Sequence, residues 1–323
     1  MNDTRTAAET RPSGVAPSLT RLGARRLQAV ATLDIPAELR RKASVCLLDY
    51  LGAVIGGLSA PWAPAIVDYV ASRGGGVQAH QWGLGEPVGA EDAAFGNGAL
   101  AHSLIRDDIH LMSASHIGVL VTPALLAAVQ RDRLSGEALI RGLVGGYDLA
   151  VCLGTAVLRG GGNSHFRPSG VNGAYGAAAA VAVAAGFDED TTTHALGFGA
   201  NAAAGLNEWP WAGGQEVNTH AGTAARNGLA AADLARAGMR SSESALEGRD
   251  GFFVAFGASK GAELYTQLLG RSFGILDVRF KPCPGCNLIQ TPIAAALEVS
   301  RLVGDQATAV EEVIITTFEA AQA

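Results

Sequence analysis

Apolar residues recur at helical spacing through most of the chain. Within residues 40–57 they fall three or four positions apart, at Ala43, Cys46, Leu47, Tyr50, Leu51 and Val54, which places them on one face of an α-helix. Segments bounded by Gly, Pro, Asp, Ser or Thr predict further helices at 63–72, 90–105, 119–132, 136–157, 170–186, 190–204 and 220–237. No strand–helix alternation appears, so residues 18–269 predict a large, mostly α domain.

The pattern changes after Gly270. "FGILDVRF" and "VEEVIITTF" are rich in β-branched and aromatic residues, and "NLIQTPIAAALEVSRLV" between them has a helical pattern. Residues 270–323 therefore predict part of a smaller α+β unit. Two strands and a helix make a poor independent core, so we expect the remainder to be missing from the chain or supplied by another chain.

Composition and charge exclude several classes of protein. With 323 residues, 48% apolar and 17% charged, the chain can bury a sizeable core. A net charge of −6 and scattered Lys and Arg disfavour partners such as nucleic acid or an anionic membrane. The most apolar run, Gly173–Phe187, is too short and Ala-rich for a membrane span and predicts a buried helix. Residues 1–17 lack the apolar core of a secretion signal, which predicts a disordered leader and a cytoplasmic location.

The four cysteines do not form the regular framework of a disulfide-rich domain. Cys46 and Cys152 lie in apolar helical segments and are interpreted as buried small residues. Cys283 and Cys286 form a C-x-x-C motif, which is compatible with a redox or zinc site. A thioredoxin-like unit would need more sheet than the following residues supply, and no second close Cys/His pair lies nearby to complete a zinc site.

The segment "GASKG" matches the G-x-S-x-G motif of serine hydrolases and follows the strand-like "GFFVAF". In an α/β-hydrolase the catalytic histidine follows the serine along the chain, but all seven histidines precede Ser259. A glycine-rich turn is therefore the favoured interpretation.

Titratable residues concentrate in "GNGALAHSLIRDDIHLMSASHIG", Gly96–Gly118. A polar loop of this kind between two apolar helices is typical of a functional site. Helix caps and solvated charges are the alternative explanation. The candidates in this segment are His102, Asp107, Asp108, His110 and His116.

Two further segments place histidine or arginine near a predicted helix start. "SHFRPSG" contains His165 and Arg167, and "NTHAGTAARNG" contains His220. Unpaired backbone amides at helix N-termini bind anions, so both segments are candidates for holding an anionic substrate.

These segments, in this order, resemble the MmgE/PrpD family of dehydratases, decarboxylases and epimerases. The resemblance rests on "LLDYLGAVIGG", "GNGALAHSLIRDD", "RPSGVNGAYGAAAAVAVAAGFD", "THAGTAARNGLAAADLARAG" and "RFKPCPGCN". It implies a large helical domain, a smaller α+β lid domain, a site between the two, and a homodimer. It also implies chemistry without a cofactor or metal, on a small-molecule carboxylate or carbonyl substrate.

Residue by residue, the resemblance transfers to part of the family's site. Positions that match the family pattern are Asp107, Asp108, His116, His220 and Lys281. Positions that depart from it are Ile105, Ile109, Arg167, Val217 and Gln290, where the family usually has aspartate, threonine, histidine, lysine and histidine. Several polar groups have become apolar, which predicts a less highly charged substrate than the family's di- and tricarboxylates.

The resulting prediction is a cofactor-free lyase or isomerase that removes a proton next to a carboxylate or carbonyl. The predicted catalytic residues are His116, His165, Lys281 and Asp108, with Asp108 orienting a histidine. The predicted substrate-binding residues are Arg167, His220, Asp107 and His102. The alternatives are a catalytically silent family member, or one subunit of a split enzyme whose second chain completes the lid.

Overall fold

A computed structural model describes residues 16–317, with the side chains of 305–307 excepted. The fold is mostly α, as predicted. Three short 3₁₀ segments occur, at Gly274–Asp277, Asn287–Ile289 and Gly304–Ala309. The α-helices are α1 Leu19–Thr32, α2 Ala37–Gly57, α3 Ala63–Arg73, α4 Ala90–His102, α5 Ile117–Asp132, α6 Gly136–Arg159, α7 Pro168–Ala184, α8 Glu189–Asn201, α9 Trp209–Ala212, α10 Glu216–Arg236, α11 Phe252–Ala255, α12 Gly261–Leu268 and α13 Gln290–Val303.

Helix starts follow the capping residues of the sequence. The side chains of Ser18, Ser135 and Asp188 accept hydrogen bonds from backbone amides three residues later, at the starts of α1, α6 and α8. These bonds satisfy amides that otherwise have no partner in the first turn. Pro168 occupies the first position of α7, where a missing amide hydrogen costs nothing.

The centre of the domain is α7, which packs against α1, α5, α6, α8 and α10. Its Ala- and Gly-rich sequence allows this close packing. A Cβ on Gly176 would lie 2.5 Å from the Cβ of Ala150 on α6, and one on Gly228 of α10 would lie 2.3 Å from the Cβ of Ala177. The apolar run at 173–187 is therefore a core helix, as predicted.

One helix in the described part of the chain, α6, is long and apolar enough to cross a membrane by length and composition. Most of its apolar window is buried inside the protein. A buried core helix of a folded domain meets the same criteria, so α6 is weak evidence for a membrane span.

The C-terminal part differs from its predicted secondary structure. Instead of a strand at 275–280, the structure has the 3₁₀ segment Gly274–Asp277 and one isolated bridge between Arg279 and Ile109. Residues 310–317 have no regular structure and are mostly exposed. Only the helix between them, α13, is found. The backbone amides and carbonyls of a strand need hydrogen-bond partners on a neighbouring strand, and no such strand lies among residues 16–317. The α+β lid therefore remains a prediction.

Two other predictions concern the N-terminal leader and the G-x-S-x-G motif. The predicted leader, residues 1–17, lies outside the described residues except for Ala16 and Pro17. The "GFFVAF" segment contains the short helix α11 and not a strand, so Ser259 does not follow a strand as a nucleophile elbow requires. Gly257 has φ +72°, which fits the glycine-rich turn.

Candidate functional site

The candidate loop runs from the end of α4 at His102 to the start of α5 after His116. It is folded tightly: Ile105 and Ala114 adopt left-handed backbone conformations with φ +49° and +48°, which non-glycine residues rarely occupy. A short bridge pairs His110 with Ser115 inside the loop. This strained turn brings side chains from both ends of the loop together, a situation common at functional sites.

Asp107 lies between two histidines. Its Oδ1 is 3.0 Å from Nδ1 of His102 and its Oδ2 is 2.9 Å from Nδ1 of His116. The two imidazole rings meet edge to face with centroids 4.8 Å apart. All three residues are buried, so the loop residues singled out from the sequence form one compact cluster.

Arg167, the N-cap residue of α7, extends this cluster. Its Nη2 lies 2.7 Å from Nε2 of His102, and its Nη1 donates to the carbonyl of Val217 at 2.9 Å. A guanidinium only donates hydrogen bonds, so Nε2 of His102 must be the acceptor. His102 therefore carries its proton on Nδ1 and donates it to Asp107.

The same reasoning fixes the proton on His116. Asp107 is an ionised acceptor, so Nδ1 of His116 donates to it and also faces the carbonyl of Asp108 at 3.0 Å. Burial lowers the pKa of His116, so the ring is neutral at neutral pH and Nε2 carries no proton; Nε2 also has no hydrogen-bond partner in the part of the chain that the structure describes. The chain Arg167–His102–Asp107–His116 thus ends in a free basic nitrogen.

Burial sets the charges in this cluster. It lowers the pKa of His102 to about 3, with Arg167 and His116 also opposing a positive charge and Asp107 favouring it. Burial also lowers the pKa of His116, against the opposing effect of Asp107. Burial alone would raise the pKa of Asp107, but the two histidines outweigh it and hold that pKa well below its usual value. At neutral pH the histidines are neutral and Asp107 is charged.

Lys281 reaches the cluster from the segment after the Arg279–Ile109 bridge. Its ammonium donates to the carbonyl of Ile105 and, at 3.4 Å, to that of Gly285. The side chain is buried, and burial lowers its pKa although Asp107 and Asp108 favour the charged form. A buried cation therefore lies beside the acidic residues of the loop.

The C-x-x-C segment forms the turn that carries Lys281. Gln290 at the start of α13 accepts from the amide of Cys283 at 3.2 Å and donates to the carbonyls of Cys283 and Cys286 at 3.1 and 3.2 Å. Both cysteines are free thiols in this structure. Backbone hydrogen bonds to Gln290, and not the sulfur atoms, therefore hold this turn.

We expect Lys281→Ala to reduce catalytic turnover by about 100-fold, because one positioned cationic or hydrogen-bond donor to a developing oxyanion typically contributes that much. Cys283→Ser and Cys286→Ser keep the turn and should change turnover little. The measurement is the rate of deuterium incorporation at carbon, with thermal unfolding as the control for folding. Equal losses in the serine variants would instead assign the role to the thiols.

Asp108 occupies a different environment from the one predicted. Its Oδ1 accepts from the amide of Gly118 at 2.8 Å, and its Oδ2 accepts from the hydroxyl of Tyr147 at 2.8 Å. A Cβ on Gly118 would lie 2.8 Å from that hydroxyl, so this approach requires glycine. Asp108 thus contacts His116 through its carbonyl only, and the carboxylate that orients the histidine belongs to Asp107.

A second carboxylate adjoins Asp108. Asp49 on α2 accepts from the backbone amide of Asp108 at 3.1 Å, and burial raises its pKa to about 6. Burial also raises the pKa of Asp108 to about 7, against the hydrogen bonds from Gly118 and Tyr147. These two acids adjoin the histidine cluster, and their pKa values lie closer to neutral pH than that of an ordinary aspartate.

Asp108→Asn should stabilise the protein increasingly as the pH rises from about 4 to 8. The folded-state pKa of Asp108 is raised from 3.8 to about 7, so the folded state binds more protons across this window and loses stability as the carboxyl ionises. We expect a gain of roughly 1–3 kcal/mol at pH 8 and little at pH 4. Thermal unfolding against pH measures it, with exposed Asp68→Asn as control. A pH-independent effect would contradict the assignment.

The other two predicted histidines lie apart from Asp107. His165 is exposed, and only its backbone makes hydrogen bonds, with Asn163 and Asn207. His220 lies next to Gly205, and burial together with the charge of Arg167 lowers its pKa. The structure therefore brings His220 to the Arg167 side of the site and leaves His165 outside it.

Three residues at the site were not singled out from the sequence. They are Asp49 and Tyr147, which bond to Asp108, and Trp209, whose ring lies under the guanidinium of Arg167; each is within a segment interpreted as packing or as a loop. An acidic residue inside the apolar run "CLLDYLG" was the one available signal for Asp49. Nothing in the local sequence distinguishes Tyr147 or Trp209 from other core or loop aromatics.

His102, Asp107 and His116 could also be considered as a metal site, because one ligand atom of each lies within 4.8 Å of the others. In the structure, however, both Nδ1 atoms bond directly to Asp107, and a metal ion would need to insert between them at about 2.0–2.2 Å from each ligand. The Arg167 guanidinium also bonds to His102. The donor set fits a hydrogen-bonded chain better than a cation site.

Comparison with known proteins gives relatives for most of the chain. A cis-aconitate decarboxylase of Aspergillus terreus (strain NIH 2624 / FGSC A1156) is 28% identical over 285 residues, which are 84% of this chain and 58% of that protein. The cis-aconitate decarboxylase-like protein oryM of Aspergillus oryzae (strain ATCC 42149 / RIB 40) is 30% identical over 267 residues, 77% of this chain and 54% of that protein. The chain thus spans little more than half the length of these curated relatives.

The match to a family model is consistent with these relatives. Residues 24–264 match the model of the MmgE/PrpD N-terminal domain, and this range contains the helical core, the histidine cluster and Arg167. The chain therefore belongs to the MmgE/PrpD family.

Proposed function

We propose that the protein is a cofactor-free MmgE/PrpD-type lyase or isomerase that removes a proton, or CO2, next to a carboxylate or carbonyl group. The relatives are named as enzymes, which supports an enzyme of this family. The observation that carries the proposal is the hydrogen-bond chain from Arg167 to His116. It places a proton of His116 on Nδ1, while burial keeps the ring neutral, so Nε2 is unprotonated and has no partner among the described residues.

In the proposed mechanism, Nε2 of His116 takes a proton from the carbon next to the substrate's carboxylate or carbonyl. The electron pair of the broken C–H bond moves onto oxygen and forms an enediolate. Lys281 and Arg167 supply positive charge where that oxygen becomes negative. The intermediate then expels a leaving group or recovers a proton from His116. In a decarboxylation, the C–C bond to the carboxylate breaks in place of the C–H bond, CO2 leaves, and the electron pair that remains on the carbon takes a proton from water.

The negative charge of Asp107 supports His116 as the base, because it compensates the positive charge that His116 gains on accepting a proton. When His116 accepts a proton on Nε2, it becomes an imidazolium whose Nδ1–H bonds to Asp107. The ionised Asp107 stabilises that cation, in the manner of the buried acid in a Ser-His-Asp triad. The low pKa of His116 in the resting state keeps the base ready at neutral pH.

The test is proton exchange in D2O with a panel of small carboxylates and carbonyl compounds that includes cis-aconitate. We expect at least one compound to gain deuterium at carbon or to lose CO2 in the presence of the protein and not without it. Mass spectrometry of the recovered compounds and release of CO2 are the readouts. A folded protein that catalyses neither reaction across the panel would favour the catalytically silent alternative.

The oligomeric state and location are part of the same proposal. We propose a cytoplasmic homodimer, or a pairing with a second chain that completes the lid. Supporting it, Leu297 and Leu302 of α13 and Ile314 beyond it are between 52% and 80% exposed, and an apolar surface of this kind requires a cover.

A further inference from the structure

Trp209 and His220 form a polar wall beside Arg167. The guanidinium of Arg167 lies over the ring of Trp209, 5.5 Å from its centroid. The backbone amide of Arg167 donates to the carbonyl of Gly205 at 2.9 Å, and a Cβ on Gly205 would lie 3.3 Å from Cγ of His220. Arg167, Trp209 and His220 are therefore neighbours, although α7, α9 and α10 contribute them separately.

Two polar atoms of this wall are buried without a partner. Neither Nε1 of Trp209 nor Nδ1 of His220 has a hydrogen bond to any of residues 16–317. Leaving a buried donor unpaired is costly, so each such atom calls for an explanation, and a bound ligand is one of them. An indole N–H can only donate, so the missing partner of Trp209 is an acceptor.

The charges around the site indicate which kind of acceptor fits. His220 is neutral at neutral pH, because burial and Arg167 lower its pKa. The guanidinium of Arg167 already donates to His102 and to the carbonyl of Val217, and the ammonium of Lys281 donates to the carbonyls of Ile105 and Gly285. The ionised Asp107 lies in the same cluster, so a second substrate carboxylate would enter a site whose two cations are already engaged.

We propose that Trp209, together with His220 and Arg167, binds an uncharged oxygen acceptor, a carbonyl or amide oxygen, of a substrate that has a single carboxylate. This proposal rests on the proposed function and defines the substrate class of the same site. Trp209 is then a specificity-determining residue: its N–H selects an oxygen that needs one donor and no compensating charge. A dicarboxylate would lose affinity because its second anion has no matching cation here.

The experiment uses three probes of similar size: maleamate, with one carboxylate and one amide; maleate, with two carboxylates; and crotonate, with one carboxylate and no second acceptor. Binding is measured by calorimetry and by the indole N–H resonances of the full chain. The Trp209 resonance is assigned from its absence in Trp209→Phe. That variant keeps an aromatic ring next to Arg167 and removes only the donor. Trp211→Phe, at a side chain 72% exposed, is the matched control.

We expect maleamate to bind more tightly than maleate or crotonate and to shift the Trp209 N–H resonance. Trp209→Phe should weaken maleamate binding about 3–10-fold, the value of one neutral hydrogen bond, and leave crotonate binding unchanged. Trp211→Phe should bind all three as the unmodified protein does. If Trp209→Phe does not fold, the Trp209 resonance is the one of the four indole signals that no substitution of Trp62, Trp82 or Trp211 by Phe removes, and its shift in the unmodified protein decides the question.

The proposal is overturned if maleate binds at least as tightly as maleamate, if maleamate does not bind or leaves the Trp209 resonance unmoved, or if Trp209→Phe binds maleamate unchanged. Failure of the proposed function looks different. A catalytically silent protein would still show the maleamate preference and its loss in Trp209→Phe, but no deuterium incorporation with any compound of the panel.

Discussion

Replacing His116 by glutamine should reduce proton exchange at carbon by about 10³-fold or more, since a positioned general base contributes about 10²–10⁴ to a rate. Glutamine is close to histidine in size and retains polar atoms, but it cannot accept a proton at neutral pH. The cluster around Asp107 should therefore stay folded while the base is lost. The measurement is deuterium incorporation under single-turnover conditions, with binding of the same compound measured separately.

The matched control for this prediction is His165→Ala. His165 is exposed and makes no side-chain hydrogen bond with the described residues, so its removal should leave the exchange rate nearly unchanged. A large loss in His165→Ala with a small loss in His116→Gln would reverse the assignment and restore His165 as the base.

The pH profile provides a second readout for His116. Its pKa is lowered below the usual 6.5 by burial, and the base acts in its neutral form, so activity should rise with pH through a limb below 6.5. If Lys281 must be charged, activity falls again as the pH rises through its own lowered pKa, below 10.5. A profile that rises above pH 7 would contradict a buried neutral His116.

Asp107→Asn should also reduce exchange by about 10³-fold, although Asp107 contacts no substrate in the proposed mechanism. The carboxylate accepts from His116 through Oδ2, and from His102 through Oδ1 at 3.0 Å and Oδ2 at 3.1 Å. An amide has one accepting oxygen and one donating nitrogen, so in either orientation its nitrogen meets the Nδ1–H of one ring donor to donor. One histidine must take the other tautomer, and in the related triad this change alone costs about 10⁴-fold.

This positioning role has a readout that a merely structural role would not move. The ¹⁵N resonances of His116 report its tautomer directly, and Asp107→Asn should shift them toward the Nε2–H form while the melting temperature changes little. Asp108→Asn is the comparison, because that carboxylate bonds to Gly118 and Tyr147 and not to a histidine ring. A larger loss of activity in Asp108→Asn than in Asp107→Asn would return the orienting role to Asp108.

The pattern of apolar positions was sufficient for the helices. Segments predicted at 119–132 and 136–157 correspond to α5, Ile117–Asp132, and α6, Gly136–Arg159, because periodic burial and end signals act within a few residues of each other. The strands predicted at 275–280 and 310–318 are not found in residues up to 317. Strand formation depends on a partner that local composition does not reveal.

The candidate site was likewise predicted only in part. The concentration of titratable residues singled out the loop after α4 as a candidate site, and the family resemblance added Lys281. Neither predicted that Asp107 would bond to both histidines, nor that His165 would face solvent while Arg167, two residues later, lies buried. That difference depends on how the segment before α7 turns, which Gly205 and Val217 determine through backbone contacts with Arg167.

The sequence by itself determined the helical domain, its family, and the group of titratable residues between α4 and α5, since these follow from periodicity, capping and local motifs. Only the tertiary structure decided the order of the hydrogen bonds and hence the protonation of each ring. Those bonds join residues up to 65 positions apart, as between Arg167 and His102, and the direction of each depends on which neighbour can only donate. The tertiary structure also decided that Trp209, in the segment between α8 and α10, lies beside Arg167 with its N–H unpaired.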